Sequence, residues 1–444
     1  MVPPVDGGRC VKAFNRRGKS ASWLWLSVPL FGGLYAAQGI TGSLVQTGLP
    51  TTLRDSGMAL GSIGLLYLLY LPWAIKFLWA PYVDRYSFAR LGRRRSWILG
   101  CQSALVVLFV IGSAFAPQTH LPFVLAILFV IAVLASTQDI ATDALAVEAT
   151  TPEQRGFVSS AGVGGAYLGF LVGIGLWLPV YDLAGWRVAM LVMAACLAIA
   201  TIPALFARRL EATGVAADRV ASPSRASVLA GLRNRPLRNG LVFLVVYQSG
   251  LRLGIALLGP FLVDQGMSLT QIGWLKGTGG AIVGFVAALI GGFVIRRLGS
   301  KWSLAICALL QASFYVCLAA IAAGGLAGDT ILAIAVLSLS AATALSFVAL
   351  YSAMMGWCNP EQTGTDFALL QSADAIVAIA LASVAGVISQ HFGHEANFAL
   401  SALLLCVGAA AALIVNRPSA KAVRPSPEAS PSPDPALHIR GQTE

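Results

Sequence analysis

The chain has 444 residues, 57% of them hydrophobic and only 11% charged, with a formal net charge of +11. An ordinary soluble domain is about 45–50% apolar and about 25% charged. Charge-free stretches such as 20–53, 96–138 and 330–360, set against about 20 apolar residues per span, exclude a soluble protein of this size and require a polytopic membrane protein.

The N-terminal segment 1–20 is a basic tail with Arg9, Lys12, Arg16, Arg17 and Lys19. The apolar run that follows is too long for a signal-peptide core and lacks a small-residue cleavage site, so it reads as an uncleaved first span. Arg17-Gly18-Lys19-Ser20 looks like the end of a phosphate loop, but Ala13 replaces its first glycine and no strand precedes it. Turn signals then divide the chain into twelve helices, over about 22–48, 58–80, 97–116, 121–147, 157–180, 186–207, 240–263, 272–294, 302–323, 330–356, 366–389 and 396–416. The segments Pro117 to Pro122 and Asn359 to Gly364 cannot continue a helix. The tail 417–444, rich in Pro, Ser and Ala, reads as disordered. The seven cysteines are odd in number and mostly apolar in setting, so no disulfide framework or metal site is expected from them.

Basic residues stay on the cytoplasmic side. The two tails and the alternate connections hold 25 of the 30 lysines and arginines, so both termini are expected in the cytoplasm. The positive charge is then a topology signal, and nucleic-acid binding is not needed to explain it.

The two halves repeat. Asp55 to Gly64 recurs 209 residues later as Asp264 to Gly273, and Pro152-Glu153-Gln154-Arg155-Gly156 recurs 208 later as Pro360-Glu361-Gln362-Thr363-Gly364. Between them, Ala80-x-x-x-Asp84-Arg85 corresponds to Gly292-x-x-x-Arg296-Arg297. Six spans separate the copies, so the repeats are parallel: two six-helix bundles, 21–207 and 240–416, joined by a cytoplasmic linker 208–239, with a site between them near mid-membrane.

With Asp84-Arg85 and the delayed Gly92-Arg93-Arg94-Arg95, the connection after the second span resembles the G-x-x-x-D-R-x-G-R-R motif of the major facilitator superfamily. Ala80 stands in place of the glycine, and six residues (Tyr86 to Leu91) stand where one is expected. That spacing is similar to one branch, containing the AmpG muropeptide permeases and the RhtX/FptX siderophore permeases. Thr137-Gln138-Asp139-Ile140-Ala141-Thr142-Asp143, Pro260 to Gly266 and Met354 to Asp366 look closer to RhtX/FptX. The resemblance implies an all-α membrane fold and a cytoplasmic gate built from Asp84, Arg85 and Arg93 to Arg95. Arg296, Arg297 and Asp366 are its counterparts in the second half.

An ionisable residue inside a membrane faces a cavity or a partner. Arg252 lies midway along the seventh span with Gln248 one turn before it; it is either a counter-charge for an anionic substrate or one side of an ion pair, with Asp374 and Asp139 as protein candidates. Asp139 and Asp143 are spaced i,i+4 on one face, and two carboxylates that close resist joint ionisation, as proton coupling requires. The alternative is that they anchor the arginine-rich connection, which suits Asp143 better than Asp139. Asp374 is an internal charge and joins the coupling candidates, whereas Asp366 sits at a helix start. Glu148 reads as a loop-edge charge, and Lys76, near a helix end, as a snorkelling side chain.

Tyr35, Gln38, Gly42 and Gln46 form a polar stripe on the first span, and Tyr67, Tyr70, Tyr351 and Lys276 are further substrate-lining candidates. Gly165, Gly169 and Gly173 on the fifth span and Gly280, Gly284, Ala288 and Gly292 on the eighth are close-packing stripes expected to meet between the bundles. His391 and His394 read as a solvated turn rather than metal ligands.

The expectation is a monomeric secondary transporter in the inner membrane that imports a siderophore by proton-coupled alternating access, with neither cofactor nor metal. An anhydro-muropeptide cargo and a drug efflux pump are the alternatives within the same fold. A membrane enzyme is disfavoured, because all four histidines (120, 391, 394, 438) lie in connections or the tail.

Overall fold

Hydrocarbon offers backbone amides no partner, so the apolar runs must satisfy their own ladders as helices. A computed structural model describes residues 27–45, 49, 52, 67–86, 92–205, 226–267, 269–324 and 328–415. Its spans are α1 (27–45), α2 (67–85), α3 (Arg93–Gly112), α4 (Pro117–Glu148), α5 (Arg155–Gly175), α6 (Trp177–Leu205), α7 (Arg235–Asp264), α8 (269–298), α9 (300–322), α10 (Asp329–Trp357), α11 (363–392) and α12 (394–415).

Eight described helical runs are long and apolar enough to cross a membrane. Two of them, Gly280–Ala322 and Thr363–Val415, hold 43 and 53 residues. At 1.5 Å per residue these would reach roughly 65 and 80 Å, far beyond a hydrocarbon core of about 30 Å. Gly299 (φ 75°) and Gly393 (φ 81°) break them, a backbone conformation that suits glycine, and each run is two spans. Gly185 (φ 75°) likewise separates the start of α6 from the span proper. The repeated Pro-Glu-Gln motifs open equivalent helices, α5 at Arg155 and α11 at Thr363.

The connection between α3 and α4 is tighter than expected. Pro117 occupies the first helical turn, where its missing amide costs nothing, and the break falls at His120 (φ −132°, ψ 36°) before Pro122. The short helix Val228–Arg233 and the first turn of α7 fall within the stretch 208–239 expected as a linker. The first-half copy of the Asp264 to Gly273 motif lies outside the described residues.

α2 is a series of short pieces: a 3₁₀ turn Tyr67–Tyr70, a helical turn Leu71–Ile75, a 3₁₀ turn Lys76–Leu78 and a helix Ala80–Arg85. Pro72 and Pro81 each remove an amide from the ladder, so the segment between them tightens. Lys76 lies at that irregularity.

The glycine stripe of α5 packs inside its own half and not between the bundles, against the expectation. A Cβ on Gly169 would stand 2.1 Å from the carbonyl oxygen of Ala36, and one on Gly165 would stand 2.3 Å from that of Gly32. Only glycine permits α5 to lie this close to α1. The opposite edge of α5 meets α8: Tyr167 packs on Gly284, Phe157 on Gly292, and the Ser160 hydroxyl donates to the Ala288 carbonyl. The α8 stripe therefore does face the other half, but it receives aromatic rings rather than a second stripe.

Candidate functional site

Between the halves lies a cavity of about 660 Å³. Its first-half wall comes from α1 (Tyr35, Gln38, Gly42, Ser43), α2 (Tyr70, Trp73, Lys76), α4 (Asp139) and α5 (Tyr167, Phe170); its second-half wall comes from α7 (Arg252, Ile255, Leu258), α8 (Lys276, Gly277, Gly280), α10 (Thr343, Phe347, Tyr351) and α11 (Gln371, Asp374). Tyr70 and Trp73 stack, ring centres 5.0 Å apart and 18° between planes, which gives one wall a flat aromatic face.

Two ion pairs line this space, one in each half. In the second half the Arg252 Nε donates to Asp374 at 3.0 Å, its Nη2 pairs with the other carboxylate oxygen, and the Gln248 amide donates to Asp374 at 2.9 Å. The Arg252 guanidinium also lies 5.5 Å from the Phe347 ring centre. Arg252 thus has a resident protein partner, one of the two anticipated. Gln248 corrects the expectation: it is fully buried behind Asp374 and does not line the cavity, because it points from α7 into the packing with α11.

In the first half Lys76 does not snorkel. Its side chain is 1% exposed, it pairs with Asp139, it lies 3.8 Å from Asp143, and it donates to Gln371 of the other half. The Tyr35 hydroxyl donates to Asp143, which is buried behind the cavity wall. The span continues past Lys76 to Arg85, so the ammonium lies mid-span rather than near a helix end, and α4 and α11 cover it. Asp139 and Asp143 consequently do not anchor the arginine-rich connection.

That task falls to Asp84 and Glu148, at the end of the molecule carrying the α2–α3 connection. Asp84, with its side chain 1% exposed, accepts from the amides of Gly364 (3.2 Å) and Thr365 (2.7 Å) and from the Thr365 hydroxyl across the halves. Arg94 pairs with Asp84 and with Glu148, each at 2.6 Å. Arg93 pairs with Glu148 at 2.6 Å, and the Thr363 hydroxyl donates to the same carboxylate. A carboxylate at the first turn of α11 meets unpaired amides and the positive end of the helix dipole. Glu148 therefore bridges the halves and is not a loop-edge charge, since the last turn of α4 is covered by α3 and by the other half.

The remaining gate candidates have lesser or different roles. Arg85 donates to the Ala226 carbonyl and Arg95 to that of Ala204, so Arg95 ties α3 to α6 within one half. Asp366 accepts from the Asn359 amide and from Gln362, shaping the turn that presents Thr363 to Thr365. Arg296, the repeat equivalent of Asp84, is exposed and lies 5.8 Å from the Phe157 ring centre at the start of α5; Arg297 is exposed. A guanidinium cannot use helix amides as acceptors, so the second-half copy makes a ring contact in place of the carboxylate clasp.

Gln46 and the side chain of Tyr67 lie outside the described residues. Tyr351 lines the cavity, and its hydroxyl accepts from Gln371 at 3.4 Å. His394 contacts Asp264 at 2.8 Å, and no cluster of potential metal ligands occurs among the described residues. Lys76, Glu148, Thr363, Trp73, Tyr167, Phe170, Phe347 and Gln371 are site residues that sequence reasoning missed. Gln371 had a signal, its spacing of three residues before Asp374 on one face of α11.

The family model described as the Major Facilitator Superfamily matches residues 31–275 and 241–442 of this chain. The chain belongs to the Major Facilitator Superfamily. As a member of the superfamily it is a multi-pass membrane transporter of small molecules. It is 30% identical over 370 residues to the anhydromuropeptide permease of Escherichia coli K12, covering 79% of this chain and 72% of that protein. It is 25% identical over 371 residues to a protein named putative transporter AmpG 4 of Rickettsia conorii, covering 81% and 89%. Two solved structures share the fold. The human organic anion transporter MFSD10 matches with a TM-score of 0.69 at 18% identity, covering 87% of this chain and 98% of that one. FucP in the outward conformation matches at 0.66 and 17%, covering 89% and 100%.

Proposed function

We propose that this transporter imports anhydro-muropeptides across the inner membrane, by alternating access driven by the proton gradient, with both termini in the cytoplasm. The observation that carries the reading is the cavity between the halves. It joins a stacked aromatic face (Tyr70, Trp73) to fixed charges (Lys76, Asp139, Arg252, Asp374, Lys276). An amino-sugar disaccharide bearing a short peptide presents the matching features: pyranose faces that pack on aromatic rings, and amides and carboxylates that need polar partners. The volume lies within the about 300–1,000 Å³ usual for small-molecule sites. Kinship with the anhydromuropeptide permease moves the choice of cargo from the siderophore suggested by short motifs to the muropeptide.

The clasp of Asp84 and Glu148 on α11 closes the basic end, which the positive-inside rule makes cytoplasmic, so the conformation is outward-facing. The Lys76–Asp139 pair, with Asp143 behind it, supplies carboxylates for proton coupling, and Gln371 connects them to the half that holds Arg252 and Asp374.

The test is uptake into proteoliposomes. A labelled anhydro-muropeptide should accumulate when the interior is alkaline, and a protonophore should abolish the accumulation. Accumulation of a ferric siderophore with none of the muropeptide would return the cargo to the siderophore.

A further inference from the structure

We propose that Lys276 selects substrates that carry a carboxylate, by pairing with it in the cavity; this rests on the muropeptide reading. Three cations line the cavity, Lys76, Arg252 and Lys276. Lys76 is engaged by Asp139 and Gln371, and Arg252 by Asp374. Lys276 has neither an ion pair nor a hydrogen bond among the described residues.

Its position offers it no partner among the described residues. Residues Gly273–Gly279 adopt the wider π form, a form that concentrates at functional sites. Gly277 and Gly280 beside it present bare backbone to the cavity, and a Cβ on Gly259 of α7 would stand 3.8 Å from the Lys276 ammonium. Ile255 and Leu258 complete that wall. A half-buried ammonium among glycines and aliphatic groups bears a desolvation cost that no described neighbour offsets. An anionic ligand group offsets it.

Two further atoms point to a ligand rather than to packing. The Gln38 Nε2 and the Thr343 Oγ1 are buried, belong to cavity-lining residues, and have no partner among the described residues; Thr343 is 5% exposed. These neutral groups suit the hydroxyl and acetamido groups of an amino sugar. A single ammonium suits one carboxylate rather than a dianionic phosphate, which draws several donors.

The experiment compares two synthetic substrates in proteoliposomes: the anhydro-disaccharide bearing one L-alanine with a free carboxylate, and its neutral C-terminal amide. Wild-type protein should show an apparent KM about tenfold lower for the acid. Lys276→Gln should raise the KM for the acid to that of the amide, leaving the amide unchanged. Lys276→Arg, which keeps the charge, should retain most of the preference, and size-exclusion profiles of both variants confirm folding. Wild-type uptake of both substrates without preference, or an equal loss of both in Lys276→Gln, would overturn the selectivity role while sparing the muropeptide reading. Uptake of neither by the wild type would overturn that reading and this proposal with it.

Discussion

Asp84→Asn preserves shape and removes charge at the clasp between the halves. In the closed gate Asp84 has two sets of partners: Arg94 at 2.6 Å in its own half, and the Gly364 and Thr365 amides with the Thr365 hydroxyl in the other. The Arg94 pair persists when the halves separate, so it cancels in the difference between closed and open states. The contacts to α11 do not cancel. A carboxylate at a helix N-terminus is worth about 0.3–1 kcal/mol, and up to about 2 when partly buried. A hydrogen bond to a charged group contributes about 1.5–3 kcal/mol net. Asparagine keeps one acceptor oxygen, so the closed state should lose about 2–3 kcal/mol, which moves the closed-to-open ratio by about 30- to 150-fold. Ser159, buried on α5 beside Met355 of the other half, reports the opening. In a Ser159→Cys background with Cys358 replaced by serine, maleimide labelling from the basic side should accelerate by that factor in Asp84→Asn. Thr365→Val, which removes one hydroxyl donor to that carboxylate, should accelerate it by at least about tenfold. Unchanged labelling and unchanged transport in Asp84→Asn would refute the clasp.

The Arg252–Asp374 pair is 22% and 19% exposed, so its rupture costs less than the about 3–5 kcal/mol of a fully buried pair. Arg252→Gln should cost about 1–2 kcal/mol of detergent stability, visible as a lower Tm. Adding Asp374→Asn should recover it; if the double variant is less stable than either single one, the pairing account fails. Asp139→Asn keeps an acceptor for Lys76 but cannot bind and release a proton. Counterflow of substrate should stay within a few-fold of wild type while uphill accumulation disappears, and accumulation at the wild-type rate would leave Asp139 a structural role only.

Much of the architecture was readable from the residues alone. Run lengths measured against a bilayer set the spans, and the Pro-Glu-Gln repeats at Pro152 and Pro360 open equivalent helices. Arg252 announced that it needs a partner, since an arginine at mid-depth is too costly to leave alone. What the residues did not reveal is which neighbour answers. Periodicity says which side of a helix a residue occupies but not what lies opposite, so Lys76 and Glu148 read as groups near water. The structure buries both, because α2 runs on to Arg85 and leaves Lys76 mid-span against α11, and because α11 also covers the end of α4. The Gly165–Gly169–Gly173 stripe likewise predicted close packing but assigned it to the other bundle, and the tertiary fold supplied α1 of the same half instead. The two halves meet through hydrogen bonds 128 to 295 residues apart, such as Ser160–Ala288, Glu148–Thr363 and Lys76–Gln371. Such pairings are decided by three-dimensional docking of surfaces, whereas spans and repeats are decided by local apolarity and spacing along the chain.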